Sequence, residues 1–230
     1  MVIRKLLTGA ALVAPLTLAS PAAAQSEPQI KPILDARVRY ELVDQGPLEA
    51  DALTLRVRAG AEATFGKLSL LAEGEGTWAP VDNYNAFAFP VIDEQRRPQY
   101  AVVADPENIE LNRLQAQYRD GDNGVTIGRQ RINLDDQRWV GSVGWRQNEQ
   151  TFDAVRGEAK AGPVVVDLTY AIKQRTVFGR DAGPRTALDG QFVFAGAGTK
   201  VGSLQGKLFA YLLDYDEGYF LANSSQTYGG

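Results

Sequence analysis

The sequence predicts an all-β protein, a transmembrane antiparallel up-and-down β-barrel that is incomplete within the 230 residues given. Long segments alternate apolar and polar residues, which is the period of a strand with one dry and one wet face. Connections alternate between long and short, as in bacterial outer-membrane barrels, whose tight turns face the periplasm. After residue 24 no segment shows a helical apolar period, and no apolar run is long enough for a transmembrane helix.

Residues 1–24 are predicted to be a secretory signal peptide. Arg4 and Lys5 precede a short apolar run, and three alanines follow at a position typical of signal cleavage. A membrane anchor is the alternative, but the run is short for a bilayer and contains Pro15. Residues 25–230 are then predicted to be the N-terminal part of the outer-membrane barrel.

Nine strands are predicted. The first carries an apolar residue at every second position from Leu34 to Leu42, with charged residues between. The second alternates from Leu53 to Phe65, which exceeds the roughly 9 to 11 residues that cross a bilayer at a tilt. In chain order the strands are expected at 34–42, 53–65, 68–78, 109–119, 125–131, 150–159, 164–173, 191–200 and 204–214. Aromatic residues near strand ends are consistent with an interfacial girdle, namely Phe65, Trp78, Tyr118, Tyr170 and Phe178.

The predicted connections separate by length into two rims. Short turns are expected at 66–67, 120–124, 160–163 and 201–203, and long loops at 43–52, 79–108, 132–149 and 174–188. The final NSSQTYGG is expected to lie inside a fifth long loop. Because bacterial barrels close with an even number of strands, nine strands predict a truncated sequence that represents the N-terminal half of a larger barrel.

Arginine is concentrated on the polar face of the predicted strands. We interpret the apolar face as facing lipid and the polar face as lining a lumen, since rows of charged side chains are how pores select ions by sign. In the alternative interpretation, the polar face is the solvated surface of a soluble sheet. The strand arginines expected to line the pore are Arg37, Arg39, Arg56, Arg58, Arg113, Arg129 and Arg131.

The long connection at 132–149 could fold into the lumen as a constriction. The arginines of this connection and of the strands beside it would then surround the permeation path. Their guanidinium groups offer paired hydrogen-bond donors that suit carboxylate and phosphate groups. An internal salt-bridge network that only rigidifies the loop is the alternative. The arginines concerned are Arg129, Arg131, Arg138, Arg146 and Arg156, with Asp135, Asp136, Glu149 and Asp153 as their expected counter-ions.

Composition excludes several classes of function. Without residues 1–24 the chain has 22 basic and 28 acidic residues, a net charge of −6 that argues against general nucleic-acid binding. The absence of cysteine removes disulfides and thiolate metal sites, and the absence of histidine removes the usual general base and the commonest metal ligand. We therefore expect no enzymatic activity, no metal site and no cofactor.

GRQRINLDD at 128–136, followed by RWVGSVGWRQNEQTFDAVR at 138–156, resembles the alginate-export type of outer-membrane porin of Gram-negative bacteria. The likeness extends over roughly residues 34–215. It implies a monomeric, many-stranded barrel whose arginine-rich lumen passes anionic polysaccharide or smaller anions passively, without enzymatic turnover. Glu62, Glu73 and Glu75 depart from a strongly cationic lumen.

The leading hypothesis is a passive channel for anionic solutes or alginate-like polysaccharide in the cell outer membrane. Its partners would be outer-membrane lipid and the permeating anions, with no nucleic acid. One alternative is a soluble periplasmic carbohydrate-binding β-sandwich. Another is an outer-membrane barrel enzyme such as a phospholipase or deacylase, which the absence of histidine disfavours.

Overall fold

The computed structural model describes residues 27–216 and 224–230, so the predicted signal peptide lies outside the described residues. Within them, no helix has the length and apolar character needed to cross a membrane. The one short 3-10 turn found there is Gly183–Arg185. The strands are β1 (Gln29–Gln45), β2 (Leu48–Phe65), β3 (Leu68–Asn83), β4 (Asn108–Asp120), β5 (Asn123–Gln130), β6 (Thr151–Ala161), β7 (Val164–Arg175), β8 (Ala187–Val201), β9 (Leu204–Tyr215) and β10 (Ser224–Gly229).

The predicted fold class is confirmed. All ten strands lie in one sheet, and each pairs antiparallel with its neighbours in chain order, from β1 to β10. The expectation of nine strands was wrong, because residues 224–229 pair with β9 instead of lying in a loop. In the described residues β1 and β10 are the two edges of the sheet, which is therefore an open, incomplete barrel wall. A sandwich of two packed sheets is excluded for this part of the chain.

Connection length separates the two ends of the sheet, with one exception to the prediction. At the end that we call the turn rim, two-residue turns lie at 66–67, 121–122, 162–163 and 202–203. At the opposite end, the loop rim, long loops lie at 84–107, 131–150 and 176–186. The long connection expected at 43–52 was wrong, because β1 and β2 continue in register to the pair Gln45 and Leu48. Gly46 makes this turn possible with a φ of 65°.

The outer face of the sheet is the one that carries the exposed apolar side chains. Leu34 is 80% exposed and Val38 is 70% exposed, although both lie in the middle of β1, where it pairs with β2. Other large apolar side chains of this face include Tyr40, Leu70, Trp78, Leu111, Leu114, Tyr118, Val125, Ile127, Val155, Leu168, Tyr170 and Ile172. A continuous apolar surface of this kind is what contact with hydrocarbon requires.

The inner face is the opposite one, and loops cover much of it. Near the loop rim, loops 84–107 and 176–186 bury an apolar cluster, the rim core, against Ala50 and Ala52 of β2. Phe178 belongs to this core, with its ring centroid 4.8 Å from that of Phe89, so its expected place in an aromatic girdle was wrong. A second cluster lies on β6 to β9. We call it the aromatic shelf, formed by Phe152, Ala154, Ala171, Phe192, Phe194 and Tyr211.

A lysine on the outer face should oppose insertion of the sheet into a bilayer. For Val38→Lys in the intact protein we expect a loss of about 2–4 kcal/mol of unfolding free energy, the cost of a cation near the bilayer midplane. Urea unfolding in lipid vesicles measures it. The matched control is Ile92→Lys, at a fully exposed site in loop 84–107. Equal losses for the two variants would contradict the assignment of the outer face to lipid.

Candidate functional site

Loop 131–150 lies across the inner face, and its first half packs on the aromatic shelf. Ile132, Leu134 and Val140 are buried there, against rings such as Phe152 and Phe194. The two shelf rings meet edge to face, with centroids 5.6 Å apart. Three apolar side chains within nine residues of a polar loop therefore supply the anchor that holds this half to the sheet.

A charged contact reinforces this half of the loop. Lys207 of β9 donates to Asp135 at 2.8 Å, and the Tyr211 hydroxyl donates to the other carboxylate oxygen at 3.0 Å. The hydrogen bond from Lys207 holds the pKa of the Asp135 carboxyl below its usual value. Asp135 was expected to neutralise an arginine, and that expectation was wrong. Asp136 accepts from the backbone N–H of Arg138 at 3.1 Å, which stabilises a local turn.

The second half of the loop carries a run of amide side chains that bind β2 and β3. The Gln147 amide donates to the Thr54 hydroxyl at 2.8 Å and to the Thr54 carbonyl at 3.0 Å. The Thr77 hydroxyl donates to the Asn148 side-chain oxygen at 2.7 Å. All four side chains are almost fully buried, so these bonds form in a water-excluded contact between loop and sheet.

Glu149 is the centre of the charged contacts between the loop and the sheet. Its carboxylate accepts from Arg131 and from the Asn112 amide, the latter at 2.7 Å, and lies 3.3 Å from a terminal nitrogen of Arg58. Arg58 also forms a hydrogen-bonded ion pair with Glu75 on the adjacent strand. One loop carboxylate therefore joins side chains from β2, from β4 and from the start of the loop itself.

Two arginines of β1 and β2 lie directly opposite each other. Arg37 and Arg56 are register partners on the inner face, an arrangement of like charges that is unfavourable by itself. Arg56 pairs with Asp35, and only 1% of its surface is exposed. Arg37 donates to three loop carbonyls, at 2.8 Å to Gly144, 2.9 Å to Arg146 and 3.1 Å to Trp145. The loop backbone thus stabilises a cation that would otherwise face another.

A further ion pair joins loops 131–150 and 84–107. Asp105 is fully buried, and its carboxylate lies 3.4 Å from Arg39 and 3.6 Å from Arg146. Its other oxygen accepts from the Gln147 backbone N–H at 2.9 Å. Arg39 and Arg146 both also contact Glu41 and stack on the Trp145 ring, with Arg146 4.1 Å from the ring centroid.

Most of the predicted pore arginines are paired with carboxylates. Arg113 pairs with Glu73 through two hydrogen bonds, and Arg156 with Glu158. Among the residues that the structure describes, Arg37 and Arg138 are the two predicted site arginines without a carboxylate within 4 Å. Arg138 is exposed and lies over the Trp139 ring at 5.7 Å.

Arg129 does not lie on the inner face as expected. Its register partners are Leu114 and Asp153, and strand alternation places it with the exposed Val125 and Ile127 on the outer face. There it donates to Asp153 at 2.8 Å, close to the loop rim. Arg131, just beyond the end of β5, turns inward to Glu149 instead.

Several residues that build the site were not predicted. Asp105, Asn112, Gln147 and Asn148 hold the loop, and Trp145 receives two guanidinium groups. The run QNEQ at 147–150 was a visible signal, because four consecutive polar residues in a long loop need partners when they are buried. Which strands supply those partners is set by long-range packing that local sequence does not encode.

The family model for alginate export matches residues 91–217, which is more than half of the chain. The chain belongs to the alginate export family. The expected resemblance is confirmed, and this member of the family is an outer-membrane protein. No curated protein sequence matches it.

Three solved structures match this chain, and the first of them supports the same fold. OccAB1 of Acinetobacter baumannii has a TM-score of 0.56 and 16% identity, covering 82% of this chain and 44% of that one. The BenF-like porin of Pseudomonas fluorescens Pf-5 has a TM-score of 0.49 and 14% identity, covering 86% and 52%. OccK2 (OpdF) of Pseudomonas aeruginosa has a TM-score of 0.45 and 15% identity, covering 82% of this chain and 46% of that one. The chain therefore spans about half the length of the structures that it matches.

Loss of the Glu149 charge should release the loop from the sheet. For Glu149→Gln we expect a loss of about 3 kcal/mol in unfolding free energy, because the buried Arg58 of β2 and Asn112 of β4 both lose the carboxylate that they contact. Faster proteolytic cleavage within 131–150 should accompany it. The control is Glu158→Gln, also on the inner face but partly exposed near the turn rim, where we expect at most about 1 kcal/mol. Similar effects of both variants would contradict the central place of Glu149.

Proposed function

We propose that this chain forms part of the wall of a passive outer-membrane channel for anionic solutes or polysaccharide. The observation that carries the proposal is the seating of loop 131–150 across the inner face, held by contacts to β2, β3, β4, β7 and β9. A loop fixed at this position narrows any path along the inner face. Its fixation supports a defined constriction, because a mobile loop would not hold charged groups at constant positions.

Two interpretations of the arginines were open, a lining of the path or an internal salt-bridge network. The ion pairs of Glu149, Asp105 and Glu75 support the network for four of them, Arg39, Arg58, Arg131 and Arg146. Arg37 and Arg138 support the lining, because the described residues neutralise neither of them with a carboxylate. In this proposal the paired arginines hold the constriction, and the unpaired two give it a positive potential.

The proposed channel is not an enzyme. The chain has no histidine or cysteine, so neither an imidazole base nor a thiolate nucleophile is available in it. The buried inner-face carboxylates Glu73, Glu75 and Glu149 each contact an arginine, an arrangement suited to structure more than to proton transfer. The outer-membrane barrel enzyme therefore has no supporting observation.

Conductance in planar bilayers tests the proposal. We expect the intact protein to conduct, with a reversal potential in a KCl gradient that shows anion preference, and oligoalginate to reduce the current. The double variant Arg37→Ala, Arg138→Ala should lower the anion-to-cation permeability ratio by about twofold or more, because two unpaired charges leave the path. Arg37→Lys with Arg138→Lys should restore most of the preference.

Arg129→Ala is the matched control, because it removes one arginine from the outer face. Its permeability ratio should equal that of the unmodified protein. Heat-modifiable migration on a gel shows that each variant is folded. Absence of conductance would contradict the channel. Conductance with an unchanged ratio in the double alanine variant would contradict the arginine-lined path.

A further inference from the structure

An aromatic cleft of about 690 Å³ lies between loop 131–150 and the ends of β7 and β9. This volume is typical of small-molecule sites, which span roughly 300–1,000 Å³. The cleft is at the loop rim on the inner side, above the aromatic shelf. Two of the three tryptophans in the chain line it, Trp139 and Trp145, and each is 59% exposed.

The exposure of both indoles on one cleft is the first observation. Single exposed apolar side chains are common on protein surfaces, whereas grouped exposed ones mark binding surfaces. Arg138 and Arg146 lie over the Trp139 and Trp145 rings, with guanidinium carbons 5.7 Å and 4.1 Å from the ring centroids. These contacts restrain the rings, and both indoles nevertheless remain 59% exposed.

The second observation is a relay of amides and a phenol along the cleft wall. The Tyr215 hydroxyl donates to Gln174 at 3.1 Å, Gln174 donates to Gln150 at 2.6 Å, and Gln150 donates to the Gly141 carbonyl at 2.9 Å. An amide has two N–H donors and an acceptor oxygen, and the relay accounts for one donor of each glutamine. The wall therefore both donates and accepts hydrogen bonds at fixed positions.

The third observation is the backbone of the loop. Asp135, Gln137 and Val143 have positive φ angles of 51°, 62° and 53°, which non-glycine residues rarely adopt. Gly141 is required as well, because an added Cβ would lie 2.7 Å from the Gln137 Cβ. Unfavourable backbone at three positions around the two tryptophans indicates that their placement has a function other than stability.

The fourth observation is charge. Among the residues that line the cleft, two are charged, Asp136 and Arg138. The cleft thus differs from the neighbouring inner face, where arginines and carboxylates dominate. A ligand held here is selected by the shape and hydrogen bonding of its rings, and its net charge has little weight.

From these observations we infer that the aromatic cleft is a saccharide-binding subsite, in which Trp139 and Trp145 stack on the apolar faces of pyranose rings. A pyranose presents C–H faces and a rim of hydroxyl groups that donate and accept, which matches indole faces beside the Gln150 and Gln174 amides. An alkyl chain would leave the second N–H donor of each amide without a partner. The inference rests on the proposed function and narrows its permeant class to oligosaccharides, charged or neutral.

Tryptophan fluorescence and single-channel recording on the intact protein test the inference. The probes are maltohexaose, which is neutral, an oligoalginate of similar length, and sodium benzoate. Both saccharides should quench the emission and produce transient current blocks. Trp139→Ala should shorten the blocks by about tenfold for both saccharides, the usual effect of removing a central aromatic contact. Trp139→Phe should restore part of the residence time.

Trp78→Phe is the matched control, because Trp78 lies on the outer face. It should lower the total emission and leave the saccharide blocks unchanged. Blocks by oligoalginate alone, blocks by benzoate without saccharide blocks, or equal residence times in Trp139→Ala and the unmodified protein would each overturn the inference. Each of these results is compatible with a conducting, anion-selective channel. Loss of conductance with preserved quenching would instead contradict only the proposed function.

Discussion

The direct opposition of Arg37 and Arg56 on β1 and β2 is the constraint on which the inner face depends. Two guanidinium groups on neighbouring strands repel, and the carboxylate of Asp35 pairs with Arg56 and not with Arg37. Loop 131–150 supplies the remainder, through its carbonyls at Gly144, Trp145 and Arg146. The loop therefore stabilises this part of the inner face, and Arg37 in turn holds the loop backbone in place.

This mutual dependence explains why so many arginines occur in a chain of negative net charge. Four of them, Arg39, Arg58, Arg131 and Arg146, are structural cations held by Glu75, Asp105 and Glu149, and they fix the loop over β1 to β3. Its other half is fixed by apolar contacts with the aromatic shelf. Because it is anchored on both sides, the loop can sustain unfavourable backbone angles and hold two exposed tryptophans beside a cleft. In an unanchored loop the tryptophan side chains would instead pack against the nearest apolar surface.

Strand alternation predicted the faces of β1 to β4 and most strand positions, because one apolar and one polar face give an unambiguous period of two. It failed on β8 and β9, where Phe192 and Phe194 on the inner face alternate with apolar Val193 on the outer face, so the aromatic shelf left no signal. Arg129 was assigned to the wrong face because a shift of one residue in the strand register moves a side chain to the opposite face. The register that places Arg129 beside Leu114 cannot be read from the local sequence. The cleft depends on distant contacts between loop and strands, which no local pattern reports.

The account depends most directly on which face of the sheet contacts lipid. Because the chain has no cysteine, single-cysteine spin labels at Leu114 and Gln115, neighbours on opposite faces of β4, can report it in vesicles. The collision rates of each label with oxygen, which concentrates in lipid, and with a water-soluble nickel chelate are the measurement. We predict that oxygen dominates at 114 and the nickel chelate at 115. The reverse pattern, or nickel access at both positions, would contradict the account.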